Sequence, residues 1–424
     1  MARVTTFKYT VTVSNPGSGN RYYIDGNLQQ YVVLFPGCTY EFNQDDSSNA
    51  THPLRFSETS DGTHNSGSEY TTGVTTSGTP GSATAWTKIE VTGSTPFRLY
   101  YYCSSHSGMG GDVQVPNNQS GSGRGLVAGG ATPSATNSID YINIAVTGNA
   151  QDFGDLIQTQ KGFSGAGNET QLTTFGGNTP ADTNQMQQVL FQSKGGSSDY
   201  GDLVSENRYL ATTGNKIKAI TAGSNGGGPT AADTAIQCVI YASDGQSFDT
   251  GGDMTKAGWG QAAASSPTRG IFAGRQNNDN YPDDANIYNN TIDYVDFASV
   301  GTCSDFGDLT VGRKYPGGAS NSTRMLIVGG DKAPGTVSNE IDYLTMASTG
   351  NGTDFGDLSV ARNMGFGHLA TSTRAVFCGG NDGSLSNVMD YNTITSTGNS
   401  SDFGDLTAAR TNQANGSDSH GGLA

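Results

Sequence analysis

The chain has 424 residues, 61 of them glycine, with only 14% charged residues and a formal net charge of −16. With no cluster of Lys and Arg, that charge argues against a nucleic-acid partner. No run of about 18 apolar residues is present to span a membrane, and five widely spaced cysteines do not form a disulfide framework. Short runs of Val, Ile, Tyr and Phe between Gly-rich turns predict an all-β protein of many short strands. No stretch reads as an amphipathic helix of three or more turns.

The first ten residues alternate Val and Thr without a charged region followed by an apolar core, so no secretion signal is expected. Strand-like runs then follow at 8–14, 31–35, 39–42, 54–57, 87–91 and 98–102, the spacing of a sandwich filling residues 1–116. Two segments stand out: Ala50-Thr51-His52-Pro53-Leu54, and Tyr102-Cys103 followed by Ser104, Ser105, His106, Ser107, Gly108 and Met109. A soft thiolate and two imidazoles suit copper, and the short Cys-x2-His-x2-Met loop brings three ligand types together. Cys103 and Met109 also suit a packed core, and His106 a turn. His64, in a Gly/Ser-rich loop, is expected to be exposed rather than a ligand.

This pattern resembles the cupredoxins, which take one His from an early loop and Cys, His and Met from the loop joining the last two strands. The resemblance implies a Greek-key sandwich with His52, Cys103 and His106 in a trigonal plane and Met109 as a weak axial ligand to copper. Zinc or an empty site remain open.

Residues 117–123 read as a short Gly/Ser/Asn linker. Beyond it the word Asp-Phe-Gly-Asp-Leu appears at 152–156, 305–309, 354–358 and 402–406, with Asp-Tyr-Gly-Asp-Leu at 199–203 and a decayed copy ending at Met254. Its glycines recur about every 50 residues, in phase with an apolar run ending in Gly and with Asp-Tyr at 140, 293, 342 and 390. The period and the missing kinase companions exclude a magnesium-binding kinase motif. The word is expected to form a turn: Phe packed between repeats, Gly in a backbone region others avoid, Asp capping nearby amides. Arg313, Arg362 and Arg410 follow at a fixed offset and are expected to pair with these aspartates.

Four short strands per copy make one blade, and copies must stack around an axis to bury both faces. Val328-Gly329-Gly330 followed by Asp342-Tyr343 resembles the kelch and galactose-oxidase-like propellers, with Phe355 where that family often has Trp. The resemblance implies a six-bladed β-propeller over 124–424. The segment after Arg410 would supply the strand missing from the first blade and close the ring without free edges.

The stretch Tyr101 to Gly111, the repeated word and the Ser/Thr/Gly/Asn-rich surface together resemble virion appendage proteins of tailed bacteriophages, particularly marine ones. That resemblance implies a non-enzymatic structural protein of the virion, assembled in the host cytoplasm: a tail fibre, spike or head or tail decoration. Its partners would be other virion proteins and a host-surface glycan or receptor, and a homo-oligomer is expected. The alternatives are a copper electron-transfer or copper-binding protein carrying a binding module, and a propeller enzyme acting on carbohydrate.

Overall fold

The computed structural model describes residues 5–34, 38–92, 95–96, 98–115, 123–225, 232–242, 245–277, 288–365 and 369–423. Nearly all of the expected linker and Phe35 of the expected strand 31–35 lie outside them. The protein is all-β, and it divides into two compact units, Met1–Ser122 and Gly123–Ala424. No helix among the described residues is long and apolar enough to cross a membrane.

The first unit consists of β1 (Thr5–Ser14), β2 (Arg21–Ile24), β3 (Asn27–Leu28), β4 (Val32–Val33), β5 (Cys38–Asn43), β6 (Leu54–Ser57), β7 (Glu69–Tyr70), β8 (Val74–Ser77), β9 (Trp86–Glu90), β10 (Arg98–Cys103) and β11 (Gly111–Gln114). Two sheets form, ordered β3-β2-β1-β5-β9-β8 and β4-β11-β10-β6-β7. Alternation sets the inner faces: in β2, Tyr22 and Ile24 are buried while Arg21 and Tyr23 are not. Val11, Phe42, Ile89, Phe56, Leu99 and Val113 from the two sheets fill one core. Phe42 meets Phe56 edge to face with ring centroids 5.4 Å apart.

Among the described residues of the second unit, six four-stranded antiparallel sheets follow one another, with a small three-stranded sheet of Arg313–Lys314, Asp331–Lys332 and Thr336–Val337 beside them. The innermost strands are Ala414–Ser417, Ser164–Gly167, Ala211–Gly214, Ala262–Ser265, Gly317–Ser320 and Leu369–Ala370, numbered here as sheets one to six. Each contacts the next in this order, and the sixth contacts the first. Ala414–Ser417 pairs with Arg124–Ala128, so the first sheet takes its inner strand from the far end of the sequence. These inner strands are almost entirely Gly, Ala, Ser and Thr, because six backbones converging on an axis leave room for nothing larger. Residues 420–423 lie against this axis, with Gly421 and Gly422 packed so tightly that a Cβ on Gly422 would stand 2.1 Å from the Gly214 carbonyl.

The repeated word is a strand, not the expected turn. Ser304–Asp308, Thr353–Asp357 and Ser401–Asp405 are the outermost strands of their sheets. Its Phe is buried between sheets: Phe355 packs on Val328 and Ile341 of its own sheet and Phe377 of the next. Gly sits at a β-bulge opposite Ile341 or its equivalent, with φ of +143° at Gly356 and +139° at Gly404. A Cβ on Gly356 would lie 2.5 Å from the Gly398 carbonyl of the next sheet, and one on Gly404 the same distance from that of Gly148 in the first. Close backbone approach between sheets is therefore what requires glycine. The outer edge of each such strand is covered by the following sheet: the Phe355 and Asp357 carbonyls accept the Gly398 and Ser400 amides at 2.8 Å, and the Phe403 and Asp405 carbonyls accept those of Gly148 and Ala150 at 2.7 and 2.8 Å.

The arginines also differ from expectation. Arg313, Arg362 and Arg410 do not pair with the aspartates of the repeated word. They reach into the following sheet and pair with the Asp of Asp-Tyr: Arg313 with Asp342, Arg362 with Asp390 at 3.0 Å, and Arg410 with Asp140 at 3.2 Å. Both partners are buried in each case. Thr310, Ser359 and Thr407 donate their hydroxyls to the same carboxylates. The three pairs join sheets four to five, five to six, and six to one.

The remaining junctions obey a charge rule. Where sheet two has Gln187 in place of the Asp, Gln160 stands in place of the Arg and accepts a 2.8 Å bond from it. Sheet three likewise has Gln237, with Asn207 at the Arg position. In sheet four, Asp293 is retained but the preceding Arg position is Gly258, and Arg275 of the same sheet reaches Asp293 at 2.7 Å. A Cβ on Gly258 would stand 2.7 Å from Arg275 Cδ, so the side chain occupies the place the missing arginine leaves. Five of the six junctions are thus charged on both sides or neutral on both, and at the remaining one the buried charge is matched within a single sheet, since an unpaired buried charge costs several kcal/mol, about 3–5 when one partner is removed.

Candidate functional site

The strand pairing that builds the first unit also assembles its candidate metal centre. In the β6–β10 pair Cys103 lies opposite Leu54, two residues after His52. His106 follows on the loop from β10 to β11. His52 and Cys103 are buried and His106 is exposed, and one potential ligand atom from each lies within 4.8 Å of the others. Cys103 Sγ stands 3.8 Å from His52 Nδ1 and 3.7 Å from His106 Nδ1, and the two imidazole centroids are 4.6 Å apart.

These separations fit a shared ion. Ligands at about 2.0–2.1 Å (imidazole) and about 2.3 Å (thiolate), spread near 120°, stand roughly 3.8 Å apart. A thiol proton, by contrast, could serve only one of the two rings. Burial, reinforced by the His106 charge, lowers the pKa of His52 and so favours the neutral imidazole that a metal requires. Met109 is buried in the same core as Cys103, and its carbonyl accepts the Tyr22 amide at 3.0 Å.

Several positioning residues carried no signal in the sequence. Tyr22 Oη and Gln44 Nε2 both donate to the His52 carbonyl, at 2.8 and 2.9 Å, and the His52 amide donates to the Asn49 carbonyl at 2.9 Å. Gln44 Oε1 in turn accepts from the Leu54 amide at 3.2 Å. Burial first, then the proximity of Cys103, raises the Tyr22 pKa well above its ordinary value, so this hydroxyl stays a donor. The Asn20 carboxamide is 3.3 Å from His52 Nε2. As placed it is Asn20 Nδ2 that donates to Nε2, which leaves the proton on Nδ1; a half-turn of the carboxamide would set its oxygen against a protonated Nε2 and present the Nδ1 lone pair to the sulfur side. His64 is exposed, as expected, but a ring nitrogen bonds the Cys103 carbonyl at 2.9 Å, tying a second loop to the centre.

In the second unit, His420 lies at the axis. Its Nε2 donates to the Gly167 carbonyl at 2.7 Å and its Nδ1 accepts from the Gly422 amide at 3.1 Å, an arrangement that requires the neutral ring. Burial lowers its pKa in the same sense. Both nitrogens are engaged by backbone, which assigns His420 to holding residues 420–423 in place. Compared with known proteins, the chain matches no family model and no curated protein.

Proposed function

We propose that the chain is a structural, host-binding protein of a bacteriophage particle, a tail fibre, spike or head or tail decoration. In this reading the first unit is a cupredoxin-like sandwich and the second a six-bladed kelch-like propeller. The sheet orders of the first unit support the former, and the cyclic contacts of six inner strands support the latter. The function rests on one observation, the joining in a single chain of the Tyr101–Gly111 stretch with the repeated outer-strand word, the combination that resembles virion appendages. A ring of sheets locked by buried Arg–Asp pairs is a rigid platform for loops that meet a surface. Mass spectrometry of gradient-purified particles tests the reading: the chain is expected at stoichiometric copy number, and its absence would refute a virion role.

A second reading concerns the first unit alone. The matched approach of His52 and His106 Nδ1 to Cys103 Sγ favours a copper-binding centre, with Met109 available as a further weak ligand. Copper held there would supply one-electron exchange. Metal analysis and visible spectroscopy of protein given copper should yield one equivalent and a copper–thiolate band that Cys103→Ala abolishes. No uptake would leave the three residues as structural.

A further inference from the structure

At the entry to each innermost strand one residue adopts the left-handed conformation. These are Gly162 (φ +67°), Tyr209 (+56°), Gly260 (+65°), Tyr315 (+54°), Gly365 (+60°) and Asn412 (+58°). Their backbones hydrogen-bond from sheet to sheet around the axis. Gly162 N donates to Asn412 O at 2.9 Å, Tyr209 N to Gly162 O at 2.7 Å and Gly260 N to Tyr209 O at 2.9 Å. Tyr315 N donates to Gly260 O at 2.8 Å, and Gly365 N to Tyr315 O at 3.0 Å.

Glycine alternates with a non-glycine around this crown. Three sheets meet the conformational demand with glycine, one meets it with Asn412, a residue type that tolerates it, and two meet it with tyrosines that oppose it. Bulky residues held in this region against local preference point to a functional constraint. The alternation has a steric logic as well. A Cβ on Gly162 would stand 3.2 Å from the Tyr209 ring, and one on Gly260 only 2.7 Å from the Tyr315 ring. Each glycine therefore lets the neighbouring tyrosine lie against the crown. The two rings are T-shaped at 6.1 Å, and Trp259 Nε1 donates to Tyr315 Oη at 3.3 Å. Tyr209, Tyr315, Asn363, Asn381, Thr411 and Asn412 line one open cleft here.

We propose that this cleft binds an uncharged saccharide. The tyrosine rings offer apolar faces for the C–H face of a sugar, and carboxamides and a hydroxyl offer both donors and acceptors for its hydroxyl groups. The lining side chains are neutral, and the charges beside them offset one another: Arg208, over the Tyr209 ring, is paired with Asp182, and Lys314, over the Tyr315 ring, is balanced by Asp331, which accepts from Asn363, so no net charge selects a charged ligand. The inference rests on the host-binding reading above and names the ligand class and the site.

The test uses the full chain with Trp86→Phe, which leaves Trp259 as the sole tryptophan. Emission is followed while neutral oligosaccharides of glucose, galactose, mannose, fucose and N-acetylglucosamine are added, with a sialylated trisaccharide for comparison. Saturable response to a neutral sugar is expected, weakened at least tenfold in Tyr209→Gly and Tyr315→Gly. Because glycine suits these backbone angles, both variants should melt no lower than the parent; Tyr209→Asn, the residue type used at position 412, provides a second fold-compatible variant. No response to any neutral sugar, response to the sialylated sugar alone, or undiminished binding by the variants would overturn the proposal. So would a fall in melting temperature that accounts for lost binding, which would assign the rings to packing. Particles that contain the chain while the chain ignores every sugar would overturn the site alone. Sugar binding by a chain absent from particles would overturn the virion reading alone.

Discussion

The junction between sheets five and six gives the sharpest energetic prediction. Arg362 and Asp390 are fully buried and paired at 3.0 Å; Arg362 Nε also donates to the Gly379 carbonyl at 2.8 Å, and Ser359 Oγ donates to Asp390 at 2.6 Å. Arg362→Gln leaves a buried carboxylate with only Ser359 for support and should cost about 3–5 kcal/mol. The double variant Arg362→Gln/Asp390→Gln recreates the neutral pairing found at Gln160 and Gln187, and should cost only about 1–2 kcal/mol. The resulting coupling energy is at least about 2 kcal/mol. Urea unfolding followed by Trp259 emission in the Trp86→Phe background reads the second unit specifically. In thermal scans the single variant should lose roughly 6–15 °C. A double variant as unstable as the sum of its singles would refute the idea that charge matching governs the junctions.

Related predictions follow from neighbouring observations. Gly258→Arg alone places a second guanidinium against Arg275 and should destabilise, whereas Gly258→Arg/Arg275→Gly restores the pattern of the next two sheets; the double variant should melt above either single by calorimetry. Gly356→Ala, at φ +143° with a Cβ 2.5 Å from the Gly398 carbonyl, should cost about 1–3 kcal/mol in urea titrations. His420 has a pKa lowered from 6.5 in the folded protein, so below that value the unfolded chain binds the extra proton first. Stability of the second unit should therefore be full above pH 6.5 and fall as pH drops toward the folded value, and His420→Gln should flatten that slope in pH-dependent unfolding curves.

Much of this organisation is legible in the sequence because it repeats. Phase alone places Phe355, Gly356 and their equivalents, and the segment after Arg410 answers a strand missing near residue 124. The outer-strand conformation of the repeated word was not legible. Asp, Gly and Asp at close spacing carry turn chemistry, and only the approach of the next sheet explains an extended glycine there. Nor was the partner of each arginine, since a fixed offset gives distance along the chain but not which sheet the side chain enters. At the candidate metal centre, ligand types and spacing single out His52, Cys103 and His106. Tyr22, Gln44 and Asn20 act through a carbonyl and a ring nitrogen about 8–32 positions away in sequence, and no local pattern marks such contacts.

The central claim, a host-binding virion protein, is tested most directly by competition during adsorption. Purified recombinant chain is added to the bacterial host before the phage that carries the gene, and free particles are counted over time. The account predicts that saturating protein slows adsorption, and that gold-labelled antibody to the chain decorates intact particles. Unchanged adsorption together with unlabelled particles would contradict it.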